Sequence, residues 1–203
     1  MFDVGANLGL MALPVLGSVA GAKVISFEPS PNTTPWLRKT VAGSNLGDRW
    51  KLIEKAVAST PGVARFSVSA STEGLYDGLK HTQRSDEVRT EEVEVTSLDL
   101  EWNRSGCPDV SVIKIDVEGG ELDVLRGGQE CLRQTRPFVL TEWCDLNLRA
   151  YGVPDDSLLG FAEEHDYLVY ALPELVPVGT ATDLRLQVVR TESFLMAPRQ
   201  RDR

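Results

Sequence analysis

Residues 109–128, DVSVIKIDVEGGELDVLRGG, leave the chain few choices. A β-branched apolar run meets an acid pair and two glycines. Apolar residues then recur at helical spacing through Leu122, Val124, Leu125 and Leu132. A buried strand that turns at once into a helix is the repeating unit of α/β folds. The unit recurs. Met1 to Val4 reads as the end of a short buried strand, Leu8 to about Val19 as an apolar helix, and KVISFE (Lys23 to Glu28) as a second strand. Pro14 costs a helix interior about 3 kcal/mol, so a kink or a late helix start is expected there. Asn32 is placed to cap a helix through Trp36 and Leu37, and WKLIEKAVA (Trp50 to Ala58) reads as a third strand. PFVLTEW reads as a buried strand, DDSLLGFAEEHDY as a capped helix, YLVYAL as a strand and SFLMAP as the last strand. The alternation predicts a largely parallel sheet covered on both faces, with right-handed crossovers. Only a loop is expected between the last two strands, which should pair antiparallel at one edge. With 203 residues the chain fits one α/β domain, 1–203.

VARFSVSA and EEVEVTSLDL alternate with period two and should pair as a hairpin. About twenty polar residues lie between them, a length that marks a functional or mobile loop. The hairpin and its loop form an insertion around 63–98. The net charge of −9 disfavours a non-specific nucleic-acid or anionic-membrane binder. No apolar run is long enough to span a bilayer. The stretch LGLMALPVLGSVAGA resembles a secretory signal in composition, but no Lys or Arg precedes Lys23. Cys107, Cys131 and Cys144 are odd in number without ligand-like spacing, as expected of reduced thiols in a cytoplasmic protein.

In an open parallel sheet the ligand crevice lies beyond the carboxyl ends of the strands, where strand order reverses. The first strand ends on DVGANLG. Gly5 permits the turn, and Gly9 permits close approach of a ligand or strand. Glu28, ending the second strand, can accept both hydroxyls of a ribose. A tight turn with Glu28 at an exposed strand end is the competing reading of these residues alone. The turn lacks the G-x-G-x-x-G of a pyrophosphate binder, and no basic residue stands near it. The acid before it, Asp3, suits a cationic ligand tail. S-adenosylmethionine meets these demands with a ribose for Glu28 and an ammonium for Asp3 or its neighbours.

The blocks DVGANLG, FEPSP, IKIDVEGGELDVLRGG and FVLTEW, in this order, resemble the FkbM family of S-adenosylmethionine-dependent methyltransferases. The likeness covers Phe2 to about Trp143. It implies a class I methyltransferase (Rossmann-like) three-layer fold, with a mostly parallel seven-stranded sheet whose last strand is antiparallel. It also implies methyl transfer, usually to a hydroxyl of a sugar, glycan or natural product. The cofactor contacts it suggests are Asp3, Gly5, Asn7, Gly9, Glu28, Pro29, Ala56 and Asp116. The chain begins almost inside the first strand, so the expectation is either a more open substrate side than where N-terminal cap helices cover the fold, or a fragment or misassigned start.

A sugar hydroxyl is a weak nucleophile at neutral pH, and a base assists it. Asp116 and Glu118 end the fourth strand and point to one side if the strand continues. Paired carboxylates raise one another's pKa, which suits a base. Glu142, ending the fifth strand, is the third candidate. The competing role for Asp116 and Glu118 is at the helix N-terminus, and one of them can instead grip the cofactor's ammonium. Glu121 is read as a dipole partner in the helix's first turn, and Gly119 and Gly120 as points of close approach. Asp116, Glu142, Asp145 and Asn147 offer oxygen ligands for a divalent cation, but the spacing is not diagnostic and no metal is assigned. His81 is a candidate lid base or a solvated loop residue, and His165 a helix-end partner. Tyr76 and Trp143 fit either a sugar site or packing. The expected partner is a small-molecule or glycan hydroxyl, with neither nucleic acid nor membrane. Two other readings stay open: a non-catalytic binding protein on the same fold, and a nicotinamide-dependent oxidoreductase, for which a third glycine and a Tyr-x-x-x-Lys are missing.

Overall fold

A computed structural model describes residues 1–69, 77–81 and 88–200. In chain order the strands are β1 (Phe2–Val4), β2 (Val24–Phe27), β3 (Trp50–Ile53), β4 (Ala56–Val57), β5 (Gly62–Ser69), β6 (Val88–Thr96), β7 (Val112–Ile115), β8 (Phe138–Glu142), β9 (Tyr167–Ala171), β10 (Val176–Val178) and β11 (Ser193–Pro198). The helices are α1 (Ala12–Ser18), α2 (Thr34–Gly43), α3 (Leu98–Arg104), α4 (Glu121–Arg126), α5 (Gln129–Thr135), α6 (Asp145–Tyr151), α7 (Ser157–Glu164) and α8 (Ala181–Val188).

The main sheet runs β10-β9-β11-β8-β7-β1-β2-β3, with the strands from β3 to β8 parallel. It is the mostly parallel α/β sheet expected, with eight strands instead of seven, β10 adding an edge. The antiparallel expectation for the last strand holds, but its place differs. β11 lies between β8 and β9, antiparallel to both, and not at an edge. More than a loop separates β9 from β11, because β10 and α8 intervene. The third strand also breaks: β3 stays in the main sheet while β4 joins the hairpin β5–β6 in a second, three-stranded sheet. The hairpin register runs from Gly62 opposite Val95 to Ser69 opposite Val88, as the alternation predicts. Part of its connecting loop, including Tyr76, falls outside the described residues.

The parallel strands read as continuous apolar runs because one face packs on a large core. Phe2, Val4, Ile113, Ile115, Val139 and Phe194 pack there against helices that include α3, α5 and α7. On the other face α1 and α2 cover only Val24, Trp50 and their neighbours. The expectation of a sheet covered on both faces therefore fails in part. Phe138 and Leu168 point away from the core and are 50% and 39% exposed. Helix α1 starts late, at Ala12, which leaves Pro14 in its first turn, where a missing N–H costs least. Asn32 does not cap α2. Thr33 is the N-cap, and the Asn32 amide donates instead to the Ser69 carbonyl at 3.0 Å. The three cysteines are thiols outside any disulfide, and Cys131 and Cys144 are buried. No helix among the described residues is long and apolar enough to cross a membrane.

Candidate active site

Strand order reverses between β1 and β7, so the crevice opens at their carboxyl ends. Gly5 turns there with φ +72°, and a Cβ on it would stand 1.8 Å from the Asp116 carbonyl oxygen. Gly9 has φ +85° and packs against Trp50, whose ring a Cβ would meet at 2.7 Å. Glu28 is only 6% exposed and so is no exposed strand end. Its two carboxylate oxygens accept the backbone N–H groups of Asn7 and Ser30, both at 2.8 Å. Burial pushes its pKa up, against the pull of those donors. A carboxylate has about four lone-pair sites, so Glu28 keeps acceptor capacity after pinning the turn.

A cavity of about 170 Å³ lies beside it, lined by Gly5, Asn7, Glu28, Pro29, Ala56 and Asp116 among others. Six of the eight residues expected around the cofactor thus meet in one place. Gly9 and Asp3 do not line it. Asp3 is fully buried beneath the turn, within 3.5 Å of the Ser26 hydroxyl that donates to it. Residues without a motif complete the cavity. They include Lys55, just before β4, Phe66 of β5, and Asp77 and Leu79 from the connection between β5 and β6. Asp77 bonds the Ser30 hydroxyl and accepts the Ser69 N–H at 2.6 Å, so it ties the second sheet to the FEPSP turn.

The acids converge by a different route from the one expected. β7 stops at Ile115, and Glu118 adopts φ +59°, so no continuing strand aligns Asp116 with Glu118. Asp116, Glu118 and Glu142 nevertheless bring one carboxylate oxygen each within 4.8 Å of one another. The fully buried Asn147 amide donates to Glu118 at 2.8 Å and to Glu142 at 3.4 Å. Asp145 is outside this group and pairs with Arg149. A second cavity, of about 1200 Å³, has Asp116, Glu142 and Lys114 in its wall. Asp116 lines both cavities. The sequence reading overlooked Lys114, although a lysine inside a β-branched buried strand was a signal. Its ammonium donates to the Gly5 carbonyl at 2.6 Å and lies 3.3 Å from Asp116 and 3.8 Å from Asp3.

The N-cap of α4 is Gly120, not an acid. Glu121 is buried and accepts the N–H groups of Val117 and Gly119 at 3.1 and 3.0 Å, fixing the turn. Burial raises its pKa to about 7. Its folded pKa exceeds the unfolded value, so the stability it contributes is complete below about pH 4.5 and lost as pH rises through 7. Glu121→Gln is expected to flatten the pH dependence of the urea midpoint between pH 4.5 and 8. A variant that follows the native pH curve would contradict this role. Gly119 admits α6, for a Cβ there would meet the Asn147 carbonyl at 2.8 Å. Trp143 is fully buried and donates to the Asp155 carbonyl at 3.0 Å, so it is a packing residue. His165 ends α7 and stacks on Phe161. His81 is exposed, in the described stretch 77–81.

The family described as Methyltransferase FkbM domain matches residues 3–169. The 2-O-methyltransferase NoeI of Sinorhizobium fredii (strain NBRC 101917 / NGR234) is 30% identical over 173 residues, covering 78% of this chain and 69% of that protein. Methyltransferase sdnD of Sordaria araneosa is 26% identical over 168 residues, covering 70% and 65%. The crystal structure of a methyltransferase FkbM from Methylobacillus flagellatus KT matches 97% of this chain with a TM-score of 0.60, at 15% identity. The match covers 42% of that longer chain, which shows a shared fold.

Proposed function

This chain belongs to the FkbM methyltransferase family, and from that premise we propose that it transfers the methyl group of S-adenosylmethionine to a hydroxyl oxygen of a sugar, glycan or natural product. The observation that carries the reading is the position of Asp116, in the wall of both cavities. The smaller cavity suits a nucleoside joined to a cation. Its apolar wall includes Phe27, Val57 and Phe66, and its acids are Glu28, Asp77, Asp116 and Glu118. Its Lys55 is paired with Glu94 at 2.6 Å, so phosphate has little to attract it there.

S-adenosylmethionine, when bound, supplies an electrophilic methyl group on a sulfonium. Glu28 would accept the ribose hydroxyls, and Pro29 and Ala56, which line the same cavity, would help hold the nucleoside. Glu118, held by Asn147, and Asp116 favour the cationic part. Asp116 and Glu142 face the larger cavity, where either takes the proton from the acceptor oxygen. The turn at Gly5 and the acids at the strand ends fix the two reactants relative to each other, which lowers the barrier by proximity. Thiols outside any disulfide fit a reducing cytoplasm. The name of NoeI, a 2-O-methyltransferase, supports oxygen as the acceptor atom.

Isothermal titration with S-adenosylhomocysteine is the direct test. One saturable site per chain is expected. A folded protein that gives no binding heat would refute the cofactor assignment. Labelled methyl groups should then appear in an ether linkage on a hydroxylated acceptor. Transfer to nitrogen or carbon instead would overturn the O-methylation reading.

A further inference from the structure

The larger cavity holds more than methyl transfer to one sugar ring requires. Its volume of about 1200 Å³ exceeds the roughly 300–1,000 Å³ of pockets that hold drug-sized ligands. We propose that the acceptor is amphipathic, with a hydroxylated head joined to an extended apolar body, and that this body lies along the cavity. The proposal rests on the methyl-transfer reading and names its substrate class.

The mainly apolar lining of a cavity that also holds the acids carries it. Asp116, Glu142 and Lys114 sit where the cavity meets the cofactor side. Leu8, Leu10, Met11, Trp36, Leu140 and Leu172 line the same cavity. These side chains are not spare core. Leu10 is 72% exposed, Trp36 57% and Met11 44%. Apolar side chains gathered openly in one groove mark a binding surface, whereas scattered ones need no explanation. A pocket for a free sugar would carry hydrogen-bonding groups along its length. Here most of the lining surface is apolar, although Asn32, Thr33, Lys39, Thr40, Thr141 and Ser193 also contribute polar groups to it. The Lys39 ammonium lies 4.4 Å from the centroid of the Trp36 ring.

Continuity with the reaction centre selects a small amphiphile over a protein partner. Leu8 stands between Asn7 and Gly9, inside the turn that borders the cofactor cavity. The apolar wall therefore begins one residue from the cofactor contacts. A protein surface seated there would cover Asp116 and Glu142 and shut out the acceptor. An apolar chain whose hydroxylated end reaches those acids fills the same groove and presents the reacting oxygen.

The test is isothermal titration of the full chain, saturated with S-adenosylhomocysteine, with methyl, hexyl and octyl β-D-glucoside below their micelle concentrations. Binding should tighten by up to about fourfold per added methylene. Leu10→Asp and Met11→Asp should each weaken octyl glucoside at least tenfold and leave S-adenosylhomocysteine affinity unchanged. Equal affinity for methyl and octyl glucoside, with normal S-adenosylhomocysteine binding, would overturn the proposal and leave the methyl-transfer reading standing. A dimer in light scattering that Leu10→Asp dissociates would overturn it too, by making a second copy the occupant. Failure to bind S-adenosylhomocysteine at all would strike the cofactor reading itself.

Discussion

Gly5→Ala is expected to destabilise the fold by more than about 3 kcal/mol and to abolish S-adenosylhomocysteine binding. Two costs add. At φ +72° a Cβ clashes with its own backbone, at about 1–2 kcal/mol. The new methyl would also stand 1.8 Å from the Asp116 carbonyl oxygen and 2.9 Å from its carbon. That neighbour is backbone and cannot swing aside. The Asp116 N–H is bonded to the Val4 carbonyl at 3.1 Å, so β1 and β7 hold it in place. The first turn must yield, and the Glu28–Asn7 bond and the Lys114 contact with the Gly5 carbonyl yield with it. Gly21→Ala is the control. Gly21 has φ +78°, but a Cβ there meets nothing within 4 Å, so only the backbone cost of about 1–2 kcal/mol applies. Urea midpoints of the two variants decide the matter. If Gly5→Ala is no less stable than Gly21→Ala, the turn does not lie against β7 as described.

What the sequence revealed and what it hid follow from how each feature is encoded. A strand with one face in the core and little water on the other is mostly apolar, so β2, β7 and β8 stand out as runs. The hairpin β5–β6 is half-solvated and therefore alternates. α8 left a signal that was passed over. Thr180 and Asp183 form a capping box, each side chain accepting from the other's backbone, in a helix with a weak apolar face. β10 hid because Val-Pro-Val is short and carries a proline, tolerable at the sheet edge it occupies. The open half of the second face was illegible for another reason. Phe138 and Val139 are equally apolar in sequence, and only the helices present decide which is covered. The glycine turn and the acids at strand ends were legible because they are local. Asp77 and the long apolar groove were not, since each joins segments far apart in sequence.

Lys114→Met is expected to cost about 3–5 kcal/mol near neutral pH, the range for removing one partner of a buried charge pair. Asp3 is fully buried, and its Oδ1 has no hydrogen-bond partner among the described residues. The Lys114 ammonium, 3.8 Å from that oxygen, is the cation that offsets it. Burial pushes the Asp3 pKa up, and Lys114 pulls it down. Because the folded pKa lies above the unfolded one, ionising Asp3 opposes folding. The stability linked to it is complete at pH below the ordinary carboxylate range and lost as pH rises through the raised pKa. Methionine keeps the apolar stem of Lys114 and removes the charge. The Asp3 pKa then rises further, and more stability is lost by the time the group ionises. The deficit of Lys114→Met should therefore be small near pH 4 and full at pH 8. Asp3→Asn in the same chain should recover most of it, because a neutral amide no longer needs the cation. Urea midpoints for the native chain, both single variants and the double variant, at the two pH values, form a double-mutant cycle. A Lys114→Met deficit that ignores both pH and the Asp3 substitution would show that the lysine supports the fold by packing alone.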